Sequence, residues 1–226
     1  MPKDVVPGLQ IGQSIDVMTR LGYLFYLPRS YGQDPDKKWP LILFLHGMGE
    51  RGDDLDLLRL YGPAKVAEKQ PDLPFICLTP QCPEGDTWIG QLKILNSLLD
   101  EELSSYSVDL DRVYLTGFSM GGYGTWGLAM AYPQSFAAIA PICGGGMVQW
   151  VEILKDIPVW AFHGADDPTV PVEESQRMVD ALRSAGGQAK FTVYPGVGHD
   201  SWTETYDNPE LYEWFLRHRR KSPHRR

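Results

Sequence analysis

A short apolar run leads directly into a glycine-rich turn in the stretch Val113-Tyr114-Leu115-Thr116-Gly117-Phe118-Ser119-Met120-Gly121-Gly122. Residues 123–132 then favour a helix. A strand, a sharp turn and a helix are the setting of a G-x-S-x-G nucleophile elbow. Such a turn brings strand and helix close together, so it needs small residues two positions before and after the serine, which Gly117 and Gly121 supply. The pattern predicts that Ser119 is a nucleophile, although so short a match also occurs by chance.

Strand-like and helix-like runs alternate through the rest of the 226 residues. A hairpin is expected from Asp16–Thr19 and Tyr23–Leu27. Mainly parallel strands are expected at Leu41–Leu45, Phe75–Thr79, Val113–Leu115, Phe136–Ala140, Val159–Phe162 and Phe191–Tyr194. Helices are expected around Asp56–Lys69, Gln91–Tyr106, Gly121–Ala131, Glu173–Ala185 and Pro209–Arg219. This alternation predicts a single α/β domain over residues 1–226, with a doubly wound, mostly parallel sheet and helices on both faces.

A serine nucleophile needs a histidine that accepts its proton, and the chain has five histidines. His46 and His163 each end an apolar run just before a glycine, which favours structural roles under a turn. His218 and His224 lie in a basic C-terminal stretch and are expected to be solvated. His199 follows a strand-like run and sits in a glycine-hinged loop. Because catalytic bases are often placed on such loops, we expect His199 to be the base.

A carboxylate must also fix the tautomer of that histidine, and two adjacent candidates precede it in the chain. Asp166 and Asp167 follow the strand-like run 159–162. Asp166 and Asp167 cannot both orient the imidazole ring of the same histidine. Asp167 precedes a proline, which favours an extended backbone, whereas Asp166 also fits a turn or a helix cap. The residues alone leave this choice open.

Backbone donors for an oxyanion are expected at two places. One is the N–H of Met120, the residue after the nucleophile. The other is the N–H of Met48, in the glycine-rich loop 47–52 that follows the strand Leu41–Leu45. That loop lacks the Gly-Lys-Ser/Thr ending of a phosphate-binding P-loop. Each expected element of the site thus follows a strand-like run: the oxyanion-hole loop, the nucleophile, the acid and the base.

Four motifs together carry a resemblance to a known family over nearly the whole chain. They are Leu45-His46-Gly47-Met48-Gly49-Glu50-Arg51-Gly52, Gly117-Phe118-Ser119-Met120-Gly121-Gly122, His163-Gly164-Ala165-Asp166-Asp167-Pro168-Thr169-Val170-Pro171 and Gly198-His199. The combination resembles the small esterases of the α/β-hydrolase superfamily. It is most similar to the dienelactone-hydrolase-like, phospholipase/carboxylesterase and feruloyl-esterase-like groups, the last related to the prolyl-oligopeptidase catalytic domain.

The resemblance implies an α/β-hydrolase fold and a serine esterase that works through an acyl-enzyme without a cofactor. It selects Asp167 as the acid, giving a triad of Ser119, His199 and Asp167. True dienelactone hydrolases carry cysteine where this chain has Ser119, which favours ordinary carboxylic esters. Two alternatives remain: the same triad acting on a thioester or peptide, or a silent binding domain. Peptidase relatives add a gating domain for which this chain has no length, and the complete set of elements argues against a silent domain.

Aromatic residues near the motifs suggest the kind of acyl group. Trp88, Phe118 and Trp202 are expected to form a substrate-binding wall, although Trp88 and Trp202 could instead pack the loops. Many lipases insert a lid before the acid strand, but here residues 143–157 leave room for one short helix, Met147–Leu154. We therefore expect no large lid and a preference for short-chain or aromatic acyl groups.

Charge and composition restrict the partners. The formal net charge is −8, and the basic stretch 217–226 carries six Lys/Arg, so the rest of the chain is near −14. A chain segment with this negative charge repels nucleic acid and anionic membranes. No apolar stretch approaches the ~20 residues of a membrane span. We expect a small-molecule ester as partner, no nucleic acid and no membrane, and a solvated, flexible basic tail.

The three cysteines lack metal-ligand spacing, so no metal site is expected. Cys77 and Cys143 fall on predicted core strands and should be buried small hydrophobes. A bridge between Cys77 and Cys82 is conceivable. No signal peptide is visible, yet the chain could be cut from a longer, secreted protein, so its compartment and oligomeric state stay open.

Overall fold

Eight strands form one sheet in the order β1-β2-β4-β3-β5-β6-β7-β8. The computed structural model describes residues 6–17 and 19–220. Strand β2 is antiparallel to both of its neighbours, and β3 to β8 are parallel to one another. The strands are β1 Gln10–Val17, β2 Thr19–Tyr26, β3 Trp39–Leu45, β4 Ile76–Pro80, β5 Val108–Phe118, β6 Ala138–Ile142, β7 Val159–Gly164 and β8 Ala189–Tyr194. The predicted doubly wound, mostly parallel sheet of an α/β-hydrolase fold is confirmed.

The described residues also form six α-helices and three 3-10 segments, of which α5 and α6 follow the last strand. The helices are α1 Gly62–Lys69, α2 Leu92–Ser105, α3 Met120–Ala131, α4 Glu173–Ser184, α5 Trp202–Asp207 and α6 Pro209–Leu216. The 3-10 segments are Met48–Glu50, Leu55–Arg59 and Val148–Leu154. The last lies between β6 and β7, where a lid would be inserted, so the expectation of no large lid is confirmed.

The sheet separates two apolar cores. Successive side chains of a strand point to opposite faces, so β3 contributes to both cores. Leu41, Leu43 and Leu45 enter one core, which apolar residues of α2, α3 and α4 complete. Ile42 and Phe44 enter the other, which is closed by α1, α5 and α6. A fully buried parallel sheet requires helices on both faces, as observed.

Several element boundaries differ from the sequence-based expectations. The hairpin pairs Val17 with Thr19, so its strands are longer than expected. Strand β6 begins two residues later than expected, and β5 extends back to Val108. The expected helix Asp56–Lys69 is divided, because Gly62 has φ +67 and packs against the ring of Phe44. A Cβ there would collide with that ring.

The described part of the basic stretch, 217–220, contacts the domain, and the rest of the expected flexible tail, 221–226, lies outside the described residues. Arg219 forms an ion pair of 3.0 Å with Asp109, and the His218 carbonyl accepts a hydrogen bond of 2.9 Å from the Tyr114 hydroxyl. Arg220 lies 3.6 Å from Asp111. His218 is therefore half-buried, while His224 lies outside the described residues. Within the part of the chain described, no helix is long and apolar enough to cross a bilayer.

Candidate active site

The nucleophile elbow joins β5 to α3. Ser119 has φ 54 and ψ −117, a conformation that a residue with a Cβ rarely adopts. The close approach of strand and helix enforces it. A Cβ at Gly117 would lie 2.5 Å from the Leu45 carbonyl oxygen, and a Cβ at Gly121 would overlap the same atom. The glycines around Ser119 thus permit a packing that holds this strained turn.

Three predicted residues meet at the carboxyl edge of the sheet. His199 Nε2 lies 2.9 Å from Ser119 Oγ, and His199 Nδ1 lies 2.7 Å from Asp167 Oδ2. The carboxylate can only accept, so Nδ1 carries the hydrogen and Nε2 is free to accept the serine proton. Asp166, the alternative acid, has an exposed side chain, and it is Asp167 that is hydrogen-bonded to the ring. The arrangement has the connectivity of a Ser-His-Asp triad.

Asp167 is held in its ionised form. Its Oδ1 accepts hydrogen bonds from the backbone N–H groups of Thr169 at 2.8 Å and Val170 at 2.9 Å. Burial opposes ionisation, but the hydrogen bonds from His199 and these two N–H groups outweigh it, so the pKa of Asp167 lies below its ordinary value. A negative charge therefore faces His199 at neutral pH.

A second histidine contacts the acid. His163 is fully buried at the end of β7, with Nε2 at 3.3 Å from Asp167 Oδ2 and Nδ1 at 2.8 Å from Ser175 Oγ. The sequence predicts a structural histidine here, and its burial and partners agree with that role. Its proximity to Asp167 was not predicted, since the pattern alone does not show which way the ring points.

His46 fixes the loop expected to supply one oxyanion donor. Its Nε2 accepts a hydrogen bond of 2.9 Å from the Cys82 N–H, so Nδ1 carries the hydrogen and donates to the Gly47 carbonyl at 2.5 Å. In a trans peptide the N–H points opposite to the carbonyl. The Met48 N–H is therefore directed away from His46. Burial lowers the pKa of His46 to about 4, so the ring stays neutral at neutral pH.

The two expected oxyanion donors are available. Met48 and Met120 both line a cavity together with Ser119. Neither backbone N–H donates to a protein acceptor in the part of the chain that the structure describes. Arg51 further holds the loop, because its Nε donates to the Met48 carbonyl at 3.1 Å and its terminal nitrogen to the Asp86 carbonyl at 3.1 Å. The buried His46 agrees with the structural role expected for it under a turn, whereas the contacts of Arg51 were not predicted.

The cavity beside Ser119 has a volume of about 640 Å³. Phe118 and Trp202 stack with ring centroids 4.3 Å apart, and the Trp202 ring meets His199 edge-on at 5.2 Å. Tyr61 packs edge-on against both aromatic rings of this pair. The structure thus brings Trp202 to the site, with Phe118 buried against it at 2% exposure, and adds Tyr61, which no motif indicated.

The structure corrects the position expected for Trp88. It borders the same cavity, but its side chain is fully buried, and its Nε1 donates to the His46 carbonyl at 2.9 Å. A Cβ at Gly124 would lie 2.6 Å from the Trp88 Cβ, so this tryptophan packs directly on helix α3. It supports the site from beneath and belongs to the core, rather than forming an exposed wall.

One group of side chains in the described part has the spacing of metal ligands. Ligand atoms of Cys143, Asp167 and His199 lie within 4.8 Å of one another. However, His199 and Asp167 are hydrogen-bonded to each other, and burial raises the pKa of the Cys143 thiol to about 12. A protonated thiol is a poor ligand, so these residues fit a triad better than a metal centre. Cys77, Cys82 and Cys143 are all free and buried.

Comparison with known proteins places this site in a family. A sequence profile described as phospholipase/carboxylesterase matches residues 89–208, just over half of the chain, and includes Ser119, Asp167 and His199. The chain belongs to the phospholipase/carboxylesterase family. The predicted resemblance to α/β-hydrolase esterases is thereby confirmed.

Two relatives of this phospholipase/carboxylesterase chain are named as a carboxylesterase and a thioesterase. It is 28% identical to carboxylesterase SOBER1 of Arabidopsis thaliana over 135 residues, covering 57% of this chain and 58% of the relative. It is 27% identical to acyl-protein thioesterase 1 of Gibberella zeae over 128 residues, 53% of this chain and 54% of that one. The chain thus spans about half the length of the curated relatives it matches.

Solved structures extend the similarity beyond the matched segment. A thermostable esterase superposes with a TM-score of 0.84 at 36% identity, covering 93% of this chain and 63% of that chain. A feruloyl esterase module from Clostridium thermocellum superposes with a TM-score of 0.73 at 17% identity, covering 99% and 93%. At that identity the second similarity concerns the fold alone.

Proposed function

We propose that this chain is a serine esterase that hydrolyses carboxylic esters through an acyl-enzyme intermediate. The observation that carries the proposal is the chain of hydrogen bonds from Ser119 Oγ through His199 to Asp167, at 2.9 and 2.7 Å. A base within this distance of a hydroxyl can take its proton during attack. Family membership and the esterase relatives support the same reaction class.

The proposed reaction gives each of these residues a step. Ser119 Oγ attacks the ester carbonyl carbon while its proton moves to His199 Nε2. The carbonyl oxygen becomes an oxyanion that accepts hydrogen bonds from the Met48 and Met120 N–H groups. The bond to the alcohol oxygen then breaks, and His199 returns the proton to that oxygen. A water molecule then attacks the acyl-enzyme in the same way, with His199 accepting and returning the proton, and the carboxylic acid is released. No cofactor takes part.

A thioester is the second candidate substrate. The same attack and proton transfers apply when the leaving atom is sulfur, and one relative of similar identity is named an acyl-protein thioesterase. Peptide bonds are less suited, because their leaving amine is poorer. The aromatic lining of the cavity, Phe118 with Trp202 and Tyr61, supports an aromatic or short acyl group next to the carbonyl.

The test is hydrolysis of p-nitrophenyl acetate together with labelling by a serine-reactive phosphonate. We expect Ser119→Ala to lower kcat by about 10⁴- to 10⁶-fold with an unchanged circular dichroism spectrum. Ser184→Ala, at an exposed helix end, serves as the matched control and should keep full activity. Mass spectrometry should find the phosphonate on Ser119 only. Wild-type turnover in Ser119→Ala would refute the proposal.

A further inference from the structure

His163 is a fully buried histidine that has no step in the proposed reaction. It lies near the end of β7, and both of its ring nitrogens have partners. Nε2 is 2.9 Å from the Val170 carbonyl oxygen and 3.3 Å from Asp167 Oδ2, and Nδ1 is 2.8 Å from Ser175 Oγ. A buried polar ring is stable only when it is hydrogen-bonded. These contacts therefore fix the orientation of the ring.

The same contacts decide which nitrogen of the buried ring carries a hydrogen. The Val170 carbonyl and the ionised Asp167 carboxylate can only accept hydrogen bonds. Nε2 must therefore carry a hydrogen, since a bare nitrogen there would face two acceptors. Ser175 Oγ is 2.8 Å from Nδ1 and also 2.8 Å from the Gly144 carbonyl oxygen. Nε2 carries its hydrogen whichever of these two the hydroxyl proton faces. This is the opposite of His199, where Nδ1 carries it.

The hydrogen on Nε2 connects His163 to the turn that holds the triad acid. It is donated to the Val170 carbonyl, while the N–H groups of Val170 and Thr169 donate to Asp167 Oδ1. The ring thus fixes one end of a turn whose two N–H groups fix the carboxylate. The same nitrogen lies 3.3 Å from Oδ2, the oxygen that accepts from His199. His163 therefore acts on the acid both through the backbone and directly.

We propose that His163 is a positioning residue for the triad acid, which holds Asp167 in line with His199 and offsets part of its negative charge. The inference rests on the proposed function and goes beyond the structural role that a place under a turn predicts. A misplacement of about 1 Å can cost about 100-fold in rate, so an acid held at both oxygens matters for turnover. One chain of contacts then runs from helix α4 to the nucleophile: Ser175, His163, Asp167, His199 and Ser119.

Loss of His163 should change the pH dependence of hydrolysis as well as its rate. Only unprotonated His199 can accept the Ser119 proton, so activity falls on the acidic side of the profile. The Asp167 carboxylate favours protonated His199, and the N–H of His163 weakens this effect. Without that N–H, protonated His199 is more stable, so the midpoint of the acid limb moves to higher pH. A histidine that only filled space would affect the rate and leave the midpoint in place.

Two substitutions of similar size provide the test. Leucine removes the donor, whereas glutamine keeps an N–H near the position of Nε2. We expect His163→Leu to lower kcat for p-nitrophenyl acetate by about 10- to 100-fold, to change KM less than about threefold, and to raise the midpoint by about 0.5 pH unit or more. His163→Gln should restore most of both. An unchanged midpoint in His163→Leu, or equal effects of the two variants, overturns the proposal.

Position 175 offers a milder variant. Ser175→Ala removes the partner of His163 Nδ1, so it should lower kcat and raise the midpoint in the same direction by smaller amounts. Ser184→Ala, at the exposed end of the same helix, is the matched control and should change neither. Every variant keeps the other titratable and charged groups near this chain of contacts, namely Cys143, Asp200, Glu174 and Arg177.

A measurement without turnover separates this inference from the proposed function. NMR of the wild-type protein with ¹⁵N-labelled histidine should show a hydrogen on Nε2 of His163 and on Nδ1 of His199. A bare Nε2 on His163 overturns the proposal even if His163→Leu does not fold. A titration midpoint of His199 that His163→Leu raises supports it even if no ester is hydrolysed. Hydrolysis by the wild type with an unmoved midpoint in His163→Leu retains the esterase and overturns the positioning role.

Discussion

Asp166 and Asp167 are adjacent residues of the same type, and their surroundings separate them. Asp167 is buried and accepts from His199 and two backbone N–H groups, whereas the side chain of Asp166 is exposed. Local sequence could place a carboxylate in this loop, because the loop follows a strand. It could not decide which one, because that depends on where His199 lies, 32 residues further on.

The first prediction concerns this pair. Asp167→Asn should lower kcat by about 10⁴-fold, because an amide no longer holds His199 in the required tautomer. Asp166→Asn, the matched control, should change kcat by less than about tenfold, as expected for loss of an exposed side chain outside the triad. Steady-state hydrolysis of p-nitrophenyl acetate measures both. Reversed magnitudes would assign the acid role to Asp166.

At the scale of secondary-structure elements, the nucleophile elbow was predictable from the sequence, whereas the ends of several strands and helices were not. The glycines around Ser119 act within a few residues, so their pattern is visible in the sequence. The polar start of β5 at Val108–Asp111 gave no strand signal, although it belongs to the sheet. Helix α5, Trp202–Asp207, was missed because six residues give too short a period to recognise.

Trp88 provides a prediction at this scale, because it fixes the loop before α2 against α3. Trp88→Ala should lower the free energy of unfolding by about 3–5 kcal/mol, the cost of a large cavity and of the hydrogen bond to His46. Trp150→Ala makes the same chemical change at a half-exposed position and should cost about 1 kcal/mol or less. Urea unfolding of both variants gives the comparison. Equal losses would contradict the burial of Trp88.

At the scale of the whole molecule, contacts distant in sequence complete the fold. The ion pair of Arg219 with Asp109 joins residues 110 positions apart, and the hydrogen bond from Tyr114 to His218 joins residues 104 apart. A basic run read locally predicts a solvated tail, since its acidic partners lie on another element. The two-sided core, in contrast, was predictable, because alternating strands and helices allow few other arrangements.

The pH dependence of stability follows from His46. Burial lowers its pKa from 6.5 to about 4 in the folded state, so between these values the unfolded chain binds more protons. The free energy of unfolding should therefore decrease as the pH falls from about 6.5 to about 4, by up to ~1.4 kcal/mol per pH unit from this residue. Urea unfolding at stepped pH measures the slope.

His46→Gln is the control for this slope, because it removes the ionisation and keeps a polar side chain. Glu50 lies 3.9 Å from His46, and burial raises its pKa, which contributes a slope of opposite sign. Glu50 is retained in the variant, so the difference between the two proteins isolates His46. Identical slopes would show that His46 is not a buried neutral ring.

The anchoring of residues 219 and 220 has a practical consequence for orientation on a solid support. Asp109 and Asp111 lie at the start of β5, whereas Ser119 follows its end, about 26 Å from Asp111 along the strand. Arg220 therefore lies on the side of the sheet opposite the catalytic cavity. A tether attached at Arg220 would immobilise the protein with the catalytic cavity turned toward the flowing solution, whereas a tether near Ile89 would obstruct that cavity.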